Sequence, residues 1–399
     1  MAETADIAVV GGGIHGCSAA LHLAARGYRV VVLEKDRVGA HASGVNAGGV
    51  RRLGRATAEV PLAVAAAAYW QDIRGLVDDA CGHRVSRYLK VARSEAELSA
   101  AERRVAVLRQ QGFTHEGVIG PEELRRLLPA AAPDCIGALH VEGDGYANPF
   151  RTTAAFRRRA ERLGARVCEG TAVGAVRREG SGWRLETARG EVTAAEIVNT
   201  AGAWGGALAA RLGDRVPLEA HAPMLAVTAP LTPLVDAVVG SLGAALSLKQ
   251  LPNGAVLIGG GVRGRAELAS GRTTLDLRGL AQFLATARAV FPALAQARIV
   301  RSWAGIEGYT PDHLPVIGRG TAEGVVHAFG FSAHGFQLAP AVGAMVADLV
   351  EGRTPALDLA EFAPGRFSEP SGLRTSRRAG AGSSRAARQA RFRGSGWSR

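Results

Sequence analysis

The chain has 399 residues, 47% hydrophobic and 21% charged, with 52 Gly and 5% aromatic residues; this is the composition of a folded protein, long enough for two domains, and it excludes a disordered body. A formal net charge of +12 would ordinarily raise nucleic acid or an acidic membrane surface as partners. Residues 368–399 hold eight Arg against one Glu, however, and Lys35, Lys90 and Lys249 are the only lysines, so the body is mildly basic and its Arg content reads as a compositional habit.

Residues 1–6 carry Glu3 and Asp6 and lead into an apolar run soon cut by glycines, unlike the basic start and longer apolar core of a signal peptide. No apolar run reaches the length of a membrane span, and a cytoplasmic location is expected. Residues 7–10 and 28–33 read as strands, with Ala, Leu and Cys at helical spacing over 14–26 between them. The turn is Gly11-Gly12-Gly13-Ile14-His15-Gly16. In this pattern Gly11 permits the tight turn, Gly13 lets backbone approach a pyrophosphate, Gly16 allows close helix packing, and the helix start at Ile14 and His15 attracts negative charge. Glu34, followed by Lys35, ends the second strand, where a carboxylate accepts hydrogen bonds from ribose hydroxyls and disfavours a 2′-phosphate. A second small-residue loop, 39–52, offers Ala42, Ser43, Gly48 and Gly49 to a long cofactor whose ribityl chain runs past the pyrophosphate.

Further along, 150–163 read as a helix, and 166–167, 173–177, 183–187, 191–193 and 197–199 as short strands separated by glycines. The strand-rich stretch 222–261 turns at Pro252, Asn253 and Gly254, 275–290 alternate as an amphipathic helix, 324–331 form a strand, and 335–350 form a helix with Pro340 in its first turns and an end near Gly352. Beyond Phe367 periodicity stops, and 368–399 are expected to be a disordered basic tail whose Phe392 and Trp397 are too few for a base-stacking platform, so no nucleic-acid partner is expected. Cys17, Cys81, Cys135 and Cys168 are far apart and form neither a zinc cluster nor a disulfide framework, so no metal is expected.

Several motifs now stand in order: Asp144-Gly145; Asn199-Thr200-Ala201-Gly202-Ala203-Trp204; Trp303-Ala304-Gly305 with Thr310-Pro311-Asp312; Pro315-Val316-Ile317-Gly318; and Gly330-Phe331-Ser332-Ala333-His334-Gly335-Phe336. With the N-terminal loop they make residues 6–367 resemble the FAD-dependent D-amino-acid oxidase superfamily, in its glycine oxidase and sarcosine oxidase β-subunit branch. The resemblance implies an α/β fold: a Rossmann-like FAD-binding domain of the glutathione-reductase type, discontinuous over 1–85, 145–215 and 300–367, with an inserted antiparallel α+β substrate domain over 86–144 and 216–299. It implies that FAD is also held by Val173, Ala201, Gly202, Trp204, Ala333, His334, Gly335, Phe336 and Gln337. The small residues before the 335–350 helix would let its positive end face the flavin, with His334 over the ring; an ordinary helix start with a capping Ser is the plainer alternative.

Two departures bear on the substrate, and two more on flavin attachment and the electron acceptor. Glu307 stands where glycine-oxidase-like enzymes carry an Arg that clamps the substrate carboxylate, and Gln337 stands where monomeric sarcosine oxidases carry a Lys. Arg51 and Arg52 remain as clamps; Arg51 is the expected substrate and catalytic residue beside His334, against a surface or pyrophosphate-facing Arg. Glu307 can bind a cationic amine or serve in a rim salt bridge. No Cys lies in 303–309, so FAD is expected to be noncovalent, and Leu257 replaces an oxygen-activating Lys, which leaves oxygen or a redox partner as acceptor. The implied reaction is oxidation of the C–N bond of a small amino acid or N-methyl amino acid, such as sarcosine, glycine, a D-amino acid or a proline-like substrate, by hydride transfer to flavin N5, with hydrolysis of the imine. The alternative is a flavoprotein subunit of a hetero-oligomeric dehydrogenase with a relay or assembly role.

Overall fold

In the first strand, Glu3–Val10, alternate side chains serve two different cores. Ile7 and Val9 join the larger core with the apolar faces of the Ile14–Ala25 and Gly335–Val350 helices, whereas Ala8 and Val10 face Trp183, Leu185 and Val192 on the other side. The period of two thus makes three layers: helices, a sheet, and an antiparallel meander. The computed structural model that shows this describes residues 3–367; the expected tail lies outside the described residues.

The first sheet runs Val316–Arg319, Val325–Phe329, Gly190–Asn199, Glu3–Val10, Val30–Leu33, Arg166–Cys168, and is parallel except at its first pair. Its meander is Val173–Glu179 and Gly182–Thr187, attached antiparallel to Gly190–Asn199. The expected strands at 191–193 and 197–199 are therefore one strand, kept continuous by its pairing with Glu3–Val10 from Val192 to Asn199. The Ile14–Ala25 helix packs against both Gly335–Val350 and Pro149–Arg162.

A second sheet, of twelve strands, holds Gly49–Val50, Arg84–Ala92, Gly117–Ile119, Gly137–Tyr146 and all strands between Glu219 and Tyr309. Leu89 and Val91 enter its core with Phe283 of the Leu277–Val290 helix and Leu124, so Tyr88 and Lys90 face the opposite side. Ile299–Ala304 and Glu307–Tyr309 also pair in this sheet, through Glu219–Thr228, so strands cross the expected divisions at 85/86, 144/145 and 299/300. Gly49–Val50 pairs with Gly145 and Tyr146, which stitches the small-residue loop to the second sheet and aims residues 51–57 between the two sheets.

Candidate flavin and substrate site

Between the sheets lies one cavity of about 1600 Å³. Its first wall is the glycine turn. Gly11 sits at φ 107°, a conformation open to glycine, and a β-carbon on Gly16 would collide with the Gly11 carbonyl oxygen. The Ile14–Ala25 helix has neither a side-chain cap bond nor an acidic residue in its first turn, so the positive end of its dipole meets no carboxylate of its own. Ser43 Oγ accepts from the Ile14 N–H at 2.9 Å and fixes the Ala42–Val45 turn against that end. Glu34 accepts from the Gly12 N–H at 2.7 Å and from the Asp36 N–H at 2.8 Å, which leaves lone pairs on both oxygens for a diol.

Lys35, 4.1 Å above the Trp204 ring, and His41, 4.7 Å from it, line the same end. Thr200 Oγ1 donates to the Gly11 carbonyl at 2.9 Å, tying the Ala201–Gly202–Trp204 loop to the glycine turn. Val173, Gly48 and Gly49 line the cavity as well. His15 stacks on Phe331 at 3.6 Å and 5°; among the described residues neither of its buried ring nitrogens makes a hydrogen bond of good geometry, the Gly335 backbone being the polar group beside the ring. Burial pushes His15 down to about 3, so it is a neutral imidazole with unspent polar atoms beside the cavity. The free helix end, the carboxylate at the strand end and these orphaned nitrogens are the donor and acceptor set a dinucleotide needs.

The second wall is cationic. Arg51 lines the cavity and donates to the Leu53 carbonyl at 2.5 Å. Arg55, which the sequence reading did not single out, is 2% exposed and donates to the carbonyls of Arg51 at 3.2 Å and His334 at 2.9 Å and to Gln337 Oε1 at 2.9 Å. Gln337 is 1% exposed and its amide nitrogen donates to Ala63, so its expected part in substrate and cofactor binding is corrected: both ends of its amide are spent holding Arg55 and the neighbouring helix. Arg52 is corrected too. Its Nε donates to the buried Asp144 at 2.8 Å and its Nη2 to the Glu142 carbonyl at 2.6 Å, which turns it from the cavity into a strut between the loop and the Gly137–Tyr146 strand.

His334 caps the last helix without a side-chain cap bond, behind Ser332 and Ala333 at φ 49° and 68°, so the capping-Ser alternative does not hold. His334 Nδ1 meets Glu59 Oε2 at 2.7 Å. Burial pushes His334 down; for Glu59 burial is outweighed by His334, through its charge and its hydrogen bond, and then by Arg55 and Arg51, so its carboxyl is held low and ionised. Nδ1 therefore carries the proton and Nε2 is left as an acceptor. Glu307 lines the cavity and accepts from the Ala333 N–H at 2.8 Å, holding this strained turn; burial pushes it up to about 7 against the opposing Ala333 and Arg263. Gly335 and Phe336 complete this wall.

Lys90 was also missed and lines the cavity. Lys249, 5% exposed, is not among the cavity-lining residues; it donates to the Ala47 carbonyl and lies 4.2 Å over the Tyr146 ring. Lys249 is the register partner of Leu257, so a cation stands one strand away from where the resemblance placed one. Strand alternation and the rarity of Lys were the available signals.

A model of the family described as FAD dependent oxidoreductase matches residues 6–349. The chain belongs to that family. As an FAD-dependent oxidoreductase it is 31% identical over 377 residues to glycine oxidase of Geobacillus kaustophilus, covering 91% of this chain and 97% of that protein. It is 27% identical to sarcosine oxidase subunit beta of Rhizobium meliloti, covering 91% and 88%. The solved structure of L-proline dehydrogenase from P. horikoshii is similar over 92% of this chain and 99% of that one, with TM-score 0.84 and 29% identity. FAD is the cofactor of this FAD-dependent oxidoreductase, and no helix among the described residues is long and apolar enough to cross a membrane.

Proposed function

We propose that this enzyme oxidises the C–N bond of an amino acid or N-alkyl amino acid. The observation that carries the reading is continuity: one cavity joins the dinucleotide cradle to a wall presenting Arg51, the free Nε2 side of His334 and Glu307. Relatives named glycine oxidase, sarcosine oxidase subunit beta and L-proline dehydrogenase support the same chemistry. FAD supplies the two-electron acceptor at this wall.

Arg51 pairs with the substrate carboxylate, because a carboxylate in a dry site needs a cation. His334 Nε2 accepts from the substrate amine, and Glu59 fixes the tautomer that permits it. Glu307, near its midpoint at neutral pH, holds the turn over which the amine lies. Oxidation removes a hydride from carbon and a proton from nitrogen; water then splits the imine into an amine or ammonia and a carbonyl compound. The FAD is held noncovalently.

The test is an anaerobic panel of glycine, N-methyl amino acids, D-amino acids and L-proline analogues, read by bleaching of the flavin's visible absorbance. Bleaching by amino acids but not by simple alcohols is expected, and no bleaching by any amine would overturn the reading. Similarity to a protein named as a subunit favours a second reading, in which the chain works within a hetero-oligomer and passes electrons to a partner rather than to oxygen. In that case the reduced protein alone reoxidises slowly in air.

A further inference from the structure

The Thr200–Trp204 loop leaves the end of the Gly190–Asn199 strand and lines the cavity. Behind it stand three buried polar side chains, Asn199, His327 and Asp214, that do not themselves line the cavity. Asn199 and His327 are register partners in neighbouring parallel strands, which puts their side chains on one face of the sheet. Asp214 follows the Gly205–Arg211 helix. Its Oδ1 accepts from the Thr321 N–H at 3.0 Å and from the Thr321 hydroxyl at 2.6 Å, and its Oδ2 meets His327 Nε2 at 3.0 Å. A β-carbon on Gly320 would come within 2.6 Å of Asp214 and 3.0 Å of His327, so bare backbone closes over the pair.

These contacts have one consistent polarity. Burial raises the Asp214 carboxyl, but the hydrogen bonds from His327 and Thr321 outweigh it and hold Asp214 low, so the carboxylate only accepts. His327 Nε2 therefore carries the ring proton and Nδ1 is an acceptor. Asn199 Nδ2 stands 3.1 Å from Nδ1 and also donates to the Gly205 carbonyl at 2.9 Å. That orientation turns Asn199 Oδ1 to the Ala201 N–H, at 3.2 Å. The bond fixes the entry to a tight turn, in which Gly202 sits at φ 55° and the Ala201 carbonyl accepts from the Trp204 N–H at 3.0 Å.

We propose that Asp214, acting through His327 and Asn199, is a positioning residue for FAD: the carboxylate chooses the imidazole tautomer, the tautomer chooses the amide orientation, and the amide holds the Ala201–Trp204 loop in the shape the cofactor meets. This rests on the reading that the loop contacts FAD, and it is independent of which substrate is oxidised. The relay touches neither the reacting carbon nor its nitrogen, so its effect falls on cofactor retention.

The test uses the FAD-loaded full chain. Asp214→Asn keeps the shape of the side chain and an oxygen for Thr321, but its amide nitrogen donates to His327 Nε2 and drives the ring proton to Nδ1. Two donors then face each other, and when the Asn199 amide turns over, its nitrogen meets the Ala201 N–H and its oxygen meets the Gly205 carbonyl. On dilution, followed by the rise of free-flavin fluorescence, Asp214→Asn should release FAD about 10-fold faster or more, the scale of loss when buried polar groups are left unpaired. Nitrogen-15 spectra of histidine-labelled protein, with the His327 signal assigned by its absence from His327→Gln, should show the proton on Nε2 in the wild type and on Nδ1 in Asp214→Asn. Thr321→Val removes one bond to Asp214 without changing the polarity of the relay, so it should lower the melting temperature and leave the release rate unchanged. A proton on Nδ1 in the wild type overturns the proposal whether or not any variant folds. So does a switched tautomer with unchanged release, faster release from Asp214→Asn without a switch, or Thr321→Val releasing FAD as fast as Asp214→Asn. Failure of every amine to bleach the flavin would reject the amine-oxidising reading and leave this one standing, because no substrate takes part in the measurement.

Discussion

Arg51 and Glu307 occupy the same wall with opposite charge, and each gives a measurable consequence. Arg51→Ala should weaken amino-acid binding by about 2 to 4 kcal/mol, the usual loss for one partner of a desolvated charged pair, with FAD retained. An amine lacking the carboxylate should lose much less; equal losses for both would place the carboxylate elsewhere, Arg55 being the next cation along the loop that lines the cavity. Glu307 governs a pH dependence. Burial raises its carboxyl from 4.5 to about 7, so between those values the folded protein holds a proton that the unfolded chain has released. Stability contributed by this group therefore falls as pH rises through that window. Glu307→Gln keeps an oxygen for the Ala333 N–H but cannot titrate, so the melting temperature of the FAD-free variant should decline less than wild type between about pH 5 and about pH 7. Parallel curves would show that Glu307 is not the titrating group. The buried His15, His22 and His334, pushed down to about 3, about 4 and about 4, act in the opposite sense within part of that window, and Lys90 and Lys249, pushed down to about 7, do so above it; all five are common to both proteins, so the difference between wild type and variant isolates Glu307.

Among elements, the strand, glycine turn and helix at the N-terminus were readable because every requirement is local: the apolar run, the glycines and the terminal carboxylate lie within 6–34. The same holds for 199–204 and 330–336, where small residues mark positions that backbone must approach closely. Gly16→Val should consequently yield a colourless protein of lower melting temperature, since its side chain drives the helix off the Gly11 carbonyl and the cofactor's stabilisation is lost with its site. A yellow variant with an unchanged melt would mean that the turn relaxes. By contrast Arg55, Glu59 and Lys90 reach the site through pairings of chain segments far apart in sequence. Alternation along 84–92 tells that Lys90 opposes Leu89 and Val91, but only the order of the twelve-stranded sheet tells what it faces. Arg52 was misread for a related reason: its partner Asp144 lies 92 residues away, on a strand whose pairing with 49–50 is not written in either segment.

For the whole molecule, the absence of Cys from Trp303–Tyr309 and the burial of Cys17, Cys81 and Cys135 leave no thiol among these positions facing the flavin wall. Acid precipitation should therefore release all of the flavin as FAD; colour remaining with the pellet would contradict noncovalent binding. Free FAD should also raise the melting temperature in proportion to the logarithm of its concentration, by about 2.7 kcal/mol of stability at a hundredfold excess over its dissociation constant. The loop stitched to the second sheet by Gly49–Val50 has one more consequence. Its Ala42, Ser43, Gly48 and Gly49 line the cavity, as do Arg51 and Arg55 within a few residues, and in the proposed function the first four serve the cofactor and the arginines the substrate wall. Substitutions there that retune substrate choice put cofactor retention at risk in the same stroke. The Glu95–Gln110 helix lines the same cavity from a segment remote in sequence from that loop, so its exposed and small positions are where descendants of this sequence can change diet without touching the loop.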